Sequence, residues 1–554
     1  MILSFGSVII SILAFVLALG LIILIHEGGH FFFARRANIL CREYAFGMGP
    51  LLWKKKKGET LYSIRALPIG GFCAIAGEEV EADPLKGLEK VKLIIEDGIV
   101  KKIVFDDKEN LFEEAKEYTL LEYDLFDAED TGKLYIKVSG NELLEEEFIV
   151  DQQAYYVFVK PIKNKEITKE KQRQRYTEEI QIAPHNRTLN AKSKRARAMV
   201  MFGGPLMNFV LAIVMFFFAA LLLGFSDTST TRLGEVTSDT PAYSAGLQEE
   251  DLLLELSSGT LSSGKLESWD DISTFMDSYK SSKETTGEIT VKYLRGEEEL
   301  TTKIKPMVII YSISMVQDIT SEEVKIAELD SQSLAYTGGV RTGDIIEAIK
   351  YSENGEYQLV SSWKDVYNIF TANVNGDLMT VKVKRGTETV ECEVDPYSKE
   401  LFDDTQSVSI TEILMGISPQ TKFNLGKSLI YPFTEFWNSL KNMVLTLKHL
   451  FTGSVGIKNL SGPVGIFTLT SQAASQGFGV LLNFIGFLSV NVGFMNLLPI
   501  PALDGGRLVF LGYEAVTKKK PNEKVETALI SITMILLLGL IIFVSFNDIL
   551  RLFK

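Results

Sequence analysis

The chain is short of the residues that usually build metal centres and cross-links. Cysteine occurs 3 times and histidine 4 times in 554 residues. Cys41, Cys73 and Cys392 are too widely spaced for a disulfide framework or a cysteine-based zinc module. Positive charge is also in deficit. Lys and Arg number 57 against 71 Asp and Glu, a formal charge of −14, which excludes the basic surface of an ordinary nucleic-acid binder. Charge of either sign is absent from residues 1–25, 198–226, 459–503 and 527–547. The mean hydropathy of +0.13 is therefore concentrated in a few long runs.

A helix needs about 20 apolar residues to cross a bilayer. The first, second and fourth runs suit one span each. The first half of the third is polar (Ser461, Thr468, Ser471, Gln472), so its span is expected at 479–498. A signal peptide is the alternative for the first run, but no basic n-region precedes it and no small-residue cleavage site follows. Arg35, Arg36, Arg42, Lys54–Lys57, Lys192–Arg197, Arg507 and Lys518–Lys520 flank the runs, and the positive-inside rule places them in the cytoplasm. The N-terminus, residues 227–458 and the C-terminus then face outward.

Residues 227–400 contain a repeat. Ala245-Gly246-Leu247 with Asp251 recurs as Gly338-Gly339-Val340 with Asp344, an offset of 93. Trp269-Asp270-Asp271-Ile272 recurs as Trp363-Lys364-Asp365-Val366, and Ile289–Lys292 as Met379–Lys382. Each copy predicts a turn, a helix after the Trp and an alternating strand. The run Pro241–Leu247 with Asp251-Leu252-Leu253 resembles PDZ domains of bacterial proteases, which implies peptide binding by strand addition. Residues 86–180 read as an acidic β-rich insertion, with alternation at Val91–Ile95, Val100–Phe105, Lys133–Val138 and Tyr155–Val159 and turns at Asp97-Gly98 and Thr131-Gly132. Residues 409–456 have the amphipathic pattern of surface helices. His449 among them is expected at the surface.

The chemistry sits at the end of the first run, in His26-Glu27-Gly28-Gly29-His30. Residues four apart share one helix face, so both imidazoles can reach one Zn²⁺ and Glu27 can take a proton from an attacking water. A catalytic zinc needs a third protein ligand. Asp504, in Asn496-Leu497-Leu498-Pro499-Ile500-Pro501-Ala502-Leu503-Asp504-Gly505-Gly506, is the acid of the later apolar runs. Ionisable groups at membrane depth default to function. Gly28-Gly29 is expected to loosen the helix.

With Phe46–Pro50, Arg65, Leu67–Phe72, Gly204-Pro205 and Asn208, these motifs resemble the site-2 protease family of intramembrane zinc metalloproteases, in particular the PDZ-bearing Gram-positive members. The resemblance implies that His26, His30 and Asp504 hold Zn²⁺ and that Glu27 is the base. It further implies that residues 60–77, with Gly70, Gly71 and Phe72, form a membrane-associated β-hairpin receiving the substrate, while Asn491 and Asn496 bind its unwound backbone. Its substrates would be pre-trimmed single-span proteins, such as anti-sigma factors or remnant signal peptides, met in the lipid bilayer of the bacterial cell membrane.

The expected fold is a polytopic α-helical membrane protein, with four transmembrane helices, tandem α/β PDZ-like domains outside and a cytoplasmic β-rich insertion. The segments are 1–36 (first span), 37–85 (hairpin), 86–180 (insertion), 181–226 (second span), 227–306 and 307–400 (PDZ-like copies), 401–458 (surface helices), 459–515 (third span) and 516–554 (fourth). A silent peptide-presenting scaffold would show a broken metal site, and a metal transporter would carry polar residues along several spans. Neither pattern is present.

Overall fold

The computed structural model describes residues 5–78, 83–127, 132–139, 145–161, 168–238, 240–282, 287–329, 333–351, 355–397, 410–452 and 461–552. Thr131 of the expected Thr131-Gly132 turn lies outside them. Two units share the chain, one of residues 1–215 with 463–543, the other of 216–462 with 544–554.

The first unit begins with helix α1 (Phe5–Arg36), which carries the first apolar run unbroken through the histidine motif. Arg35 and Arg36 in its last turn complement the negative end of the helix dipole. Strands β1 (Cys41–Lys57) and β2 (Thr60–Ile75) then form one long antiparallel hairpin. Residues 60–77 thus supply the second strand of that hairpin rather than the whole of it. The first strand was hidden because its second half, ending in Lys54–Lys57, is exposed throughout and so shows no alternation. The hairpin is seated on α1, where the Tyr44 hydroxyl donates to the Leu24 carbonyl at 2.6 Å.

The insertion is a small barrel. Strands β3 (Lys90–Glu96), β4 (Ile99–Phe105), β5 (Lys116–Asp124), β6 (Leu134–Ser139), β7 (Glu145–Val159) and β8 (Thr177–Gln181) run in the order β4-β3-β5-β6-β7-β8. A parallel pairing of β4 with β7 closes the ring. Val91, Leu93, Val100, Ile103, Leu134, Ile136 and Val138 fill it, and β8 is added on β7 at the end of the strand order. Alternation located β3, β4, β6 and half of β7. It missed β5, where the exposed positions Lys116, Glu117, Thr119, Leu121 and Glu122 break the alternation. Helix α2 (Lys169–Tyr176) follows β7, and α3 (Lys194–Leu223) ends this part of the chain.

In the second unit, β9 (Phe225–Ser226) and helix α4 (Pro241–Ser244) lead into the first copy of the repeat, with β10 (Leu252–Ser258), β11 (Leu261–Ser262), α5 (Trp269–Ser281), β12 (Ile289–Arg295) and β13 (Glu298–Ile304). A linking group follows, β14 (Met307–Ile310), β15 (Met315–Gln317) and β16 (Ile326–Leu329). The second copy has α6 (Leu334–Thr337), β17 (Ile345–Tyr351), β18 (Gln358–Leu359), α7 (Trp363–Ala372), β19 (Met379–Arg385) and β20 (Glu388–Val394). The copies match in detail. Arg295 grips the buried Asp251 at 2.9 and 2.8 Å, and Arg385 grips Asp344 at 2.8 and 2.7 Å. Ser268 with Asp271, and Ser362 with Asp365, form the same capping box ahead of α5 and α7.

The expected boundary at residue 400 does not hold. Strand β21 (Glu412–Leu414) joins β14, and β22 (Thr421–Lys422) pairs with β9, so the chain returns to the first copy after completing the second. Among the described residues of 409–456 the helix is α8 (Leu425–Thr452), where Leu429, Phe433, Trp437 and Val444 are exposed. His449 is buried, not at the surface, because it joins the buried positions of α8 with Ser439 and Met443.

The last segment supplies α9 (Pro463–Ser475), α10 (Phe478–Leu497), α11 (Asp504–Thr517) and α12 (Glu523–Leu552). The polar half of the third run is α9. It packs on α1 through Ser11 and Ser471, 2.6 Å apart, and an edge-on contact of Phe15 with Phe467. Among the described residues, four helices are long and apolar enough to cross a membrane: Val8–Arg36, Lys194–Leu223, Phe478–Leu497 and Glu523–Leu550.

Candidate metal centre

Helix α1 places His26 and His30 one turn apart, as the four-residue spacing requires. Asp504 arrives from the broken segment between α10 and α11. Pro499 and Pro501 cannot extend α10, and the chain turns tightly, with the Leu503 amide on the Ile500 carbonyl at 2.9 Å. Gly505 and Gly506 make the turn possible. A Cβ on Gly505 would stand 2.3 Å from the Leu497 carbonyl oxygen, and one on Gly506 2.2 Å from that of Ile500.

Three donor atoms converge. His26 Nε2 and His30 Nε2 are 3.2 Å apart, and Asp504 Oδ2 lies 3.3 and 3.4 Å from them. Ligands at the usual zinc bond length of about 2.0–2.1 Å, set at tetrahedral angles, are separated by ~3.3 Å. The three edges match one face of that tetrahedron and leave the fourth corner open. Asp504 Oδ2 is buried and accepts no hydrogen bond, a costly arrangement unless a cation occupies the centre. The donor set fits zinc.

Helix α3 orients both imidazoles. His30 Nδ1 meets the Val200 carbonyl at 2.8 Å, which fixes the proton on Nδ1 and leaves Nε2 as a lone pair. His26 Nδ1 meets the side-chain amide of Asn208 at 3.1 Å. The atom facing Nδ1 is Asn208 Nδ2, and Asn208 Oδ1 is buried without a hydrogen-bond partner. With His26 Nε2 directed at the centre, Nδ1 carries the proton, so we assign the amide turned over, its oxygen accepting from Nδ1. Asn208 is fully buried, and its backbone carbonyl accepts from Ser489 Oγ on α10 at 2.8 Å.

The crossing of α1 and α3 depends on glycine. A Cβ on Gly29 would stand 2.1 Å from the Gly203 carbonyl oxygen, so this residue does more than loosen α1: it lets two backbones touch. A Cβ on Gly204 would meet His30 Nε2 at 2.3 Å and His26 Nε2 at 2.8 Å. Any side chain there would collide with both imidazoles.

A cavity of about 610 Å³ holds His26, Glu27, His30, Phe72, Asn496 and Asp504 together. Gly71 backs Glu27, since a Cβ on it would lie 3.6 Å from Glu27 Cγ. Gly70, at φ +91°, shapes β2 beside Met48 and is not in the lining. Asn491 is not in the lining either. Its side-chain amide donates to the Phe487 carbonyl of its own helix at 2.9 Å. At 100° per residue, five residues put Asn491 and Asn496 about 140° apart on α10, and of the two Asn496 is the one in the lining.

The sequence reading missed Arg507, one turn after Asp504, which lines the cavity and forms an ion pair with Glu78 just beyond β2. Burial lowers the pKa of Arg507, and the negative charges of Glu526 and Glu27 oppose that shift. It also gave Asn208 no role. The signal was there, a lone amide within an uncharged run of membrane length.

The chain matches Peptidase family M50 over residues 14–540. It is 30% identical over 549 residues to the zinc metalloprotease RasP of Oceanobacillus iheyensis, covering 98% of this chain and 99% of that one. It is 28% identical over 544 residues to the regulator of sigma-W protease RasP of Bacillus subtilis, with 98% and 99% covered. The converging donors, the carboxylate beside them and this whole-length similarity agree: the chain belongs to Peptidase family M50, the site-2 proteases, and is an intramembrane zinc metalloendopeptidase.

Proposed function

We propose that the protein cleaves the membrane segments of single-span proteins already trimmed outside the cell, as a step of regulated intramembrane proteolysis. The observation that carries this reading is the meeting of His26, His30, Asp504 and Glu27 in one cavity beside a helix of membrane length. His26 Nε2, His30 Nε2 and Asp504 Oδ2 hold the zinc, which when bound polarises a water and the scissile carbonyl. Glu27 takes the water's proton on its carboxylate and passes it to the leaving amide nitrogen. Phe72 and Asn496 flank the unwound substrate, and the edge of the hairpin receives it as an added strand. Unwinding is needed because a helix keeps its carbonyls hydrogen-bonded and shielded.

The name of the Bacillus relative ties that protein to sigma-factor control, and we carry this over as an anti-sigma type of substrate, with remnant signal peptides as a second class. The repeat region reads as a tandem of PDZ-like domains outside the cell, and the barrel as a cytoplasmic module. Lys55, Glu147 and Lys519, replaced by cysteine, should label only from the cytoplasm, and Thr260 and Glu356 only from outside. External labelling at 147 would invert this topology. For the activity, membrane stubs accumulating in cells with the Glu27→Gln protein should be identified by mass spectrometry. If the same stubs persist with the active enzyme, they are not its substrates.

A further inference from the structure

The cavity at the metal centre carries more charge than the ligands and the base account for. Beside His26, His30, Asp504 and Glu27, its wall includes Arg42, Glu78 and Arg507. Arg42 gives its Nε to the Gln181 carbonyl at the end of β8, 2.9 Å away. Arg507 stands closer to the chemistry in sequence and in charge. It follows Asp504 by three residues on α11, so the two side chains leave one face of the helix about one turn apart. Its guanidinium is set on the Glu78 carboxylate, and the charge of Glu27 also acts on it.

A latch between the end of β2 and α11 would explain the pair of Arg507 with Glu78, but α11 is already fastened. Near its other end the buried Glu514 carboxylate receives Arg197 of α3 at 2.8 Å, and the Glu514 carbonyl accepts from Lys194 at 2.9 Å. An ion pair withdrawn from water also returns little net stability, because desolvation offsets most of the attraction. The Arg507 and Glu78 side chains keep 32% and 26% of their surface open, and both line the cavity. The pair can therefore be reached by whatever the cavity holds.

Peptide hydrolysis makes a ligand for such a group. The C–N bond breaks, the water oxygen stays on the carbonyl carbon and both water protons end on the leaving nitrogen. The N-terminal fragment is left with a carboxylate, and the other fragment with an ammonium. That carboxylate arises beside Asp504 and Glu27, between walls that include Phe72, Ile75 and Leu503, where an unpaired anion is costly. A guanidinium offers five N–H donors in a fork that fits a carboxylate with two parallel bonds. Glu78 already holds that place as a carboxylate of the chain itself.

We propose that Arg507 receives the new C-terminal carboxylate of the cleaved substrate, and that Glu78 holds the guanidinium between turnovers and yields it to the product. This rests on the reading of the enzyme as a protease of membrane segments.

Binding separates this role from that of a latch. The probes are a hexapeptide of apolar residues ending in a free carboxylate and the same peptide ending in an amide. The protein is the full-length Glu27→Gln enzyme in detergent, which cuts neither, and every variant is compared at full zinc content checked by elemental analysis. The acid should bind more tightly than the amide. Adding Arg507→Gln should reduce that preference about tenfold or more, the weight of a hydrogen bond to a charged group, and what survives is the zinc's own. Arg507→Lys keeps the charge without the fork and should fall between. Glu78→Gln breaks the same ion pair, yet should leave the preference intact or raise it, because it removes the competitor. An undiminished preference in Arg507→Gln would overturn the proposal. Equal losses in Arg507→Gln and Glu78→Gln would mark a latch and overturn it too. Equal binding of acid and amide before either change would overturn it and leave the protease reading standing, whereas failure to bind either probe would overturn both.

Discussion

His30 gives the proton on Nδ1 to the Val200 carbonyl 2.8 Å away, and by doing so turns a bare Nε2 toward Asp504 Oδ2 at 3.4 Å. A backbone carbonyl of the second span thereby sets the chemistry of a ligand on the first. Asn208 does the same for His26 from two turns further along α3.

The first prediction concerns Asn208. Asn208→Leu removes the acceptor for His26 Nδ1 and should weaken zinc binding by about 10–100-fold, the usual cost of losing such a partner. Asn208→Asp keeps an acceptor and should retain more of the affinity. Competition with a chelator measures both. Unchanged affinity in Asn208→Leu would remove the residue from this role.

The ligands and the base separate in a second experiment. His30→Ala and Asp504→Ala should lose zinc, measured by elemental analysis. Glu27→Gln should keep it and lose cleavage by about 10²–10⁴-fold or more, because it removes a proton acceptor and no ligand. Full zinc content in Asp504→Ala would exclude that carboxylate from the centre.

Much of this site was legible before any coordinates. The absence of charge marked the spans, a four-residue spacing put His26 and His30 on one face, and Asp504 stood out as an acid in an apolar run. What stayed hidden depends on contacts between distant segments. No local pattern tells that Gly29 must admit the Gly203 carbonyl, that β4 and β7 close a barrel, or that residues 412–422 return across an entire domain to the first copy. His449 was misread for the same reason, since one isolated residue gives no hint of which face of α8 is covered. Asn491 and Asn496 look equivalent in the sequence, yet five residues of helix set them about 140° apart, and of the two Asn496 lines the cavity.

The two glycines of the histidine motif should behave oppositely. A Cβ on Gly28 meets only the Tyr44 hydroxyl, at an ordinary 3.4 Å, whereas one on Gly29 would lie 2.1 Å from a backbone oxygen. Gly28→Ala should be neutral or stabilising, since Ala exceeds Gly in helix propensity by about 1 kcal/mol. Gly29→Ala should destabilise by about 1–3 kcal/mol through overpacking. Thermal denaturation of the purified pair of variants gives the comparison, and equal midpoints would refute the close crossing.

Lys364 predicts a pH dependence of the tandem repeat. Burial, with a smaller repulsion from Lys280, lowers its pKa from 10.5 to about 8. It faces the rings of Tyr279 and Tyr367, and Asp277 lies 3.9 Å from Lys280. The folded state loses this proton before the unfolded state does, so between pH 8 and 10.5 the unfolded chain binds more protons and stability rises with pH. Below pH 8 the contribution is flat. Lys364→Met should abolish that rise, read as the difference between the two proteins in the melting followed by Trp269 and Trp363 fluorescence. A difference that does not change with pH would refute the shift.

Excision of the tandem tests whether substrates are selected there. Removing residues 230–397 alone would leave the returning segment without its partner, because Gly234 and Arg232 are what hold 418–420. Ser226 and Thr421 are direct cross-strand neighbours, which makes them the natural ends to join. With 228–419 replaced by a short flexible linker, α3 and α8 keep their paired approach, and none of His26, Glu27, His30, Asn208 or Asp504 is touched. Zinc content and cleavage of a trimmed stub should persist. A substrate with its folded ectodomain intact should be refused by the complete enzyme and cut by the shortened one. If the shortened enzyme binds zinc, cuts stubs and still refuses the intact substrate, selection by bulk resides elsewhere. If it binds zinc and no longer cuts stubs, the tandem delivers substrate instead of excluding it.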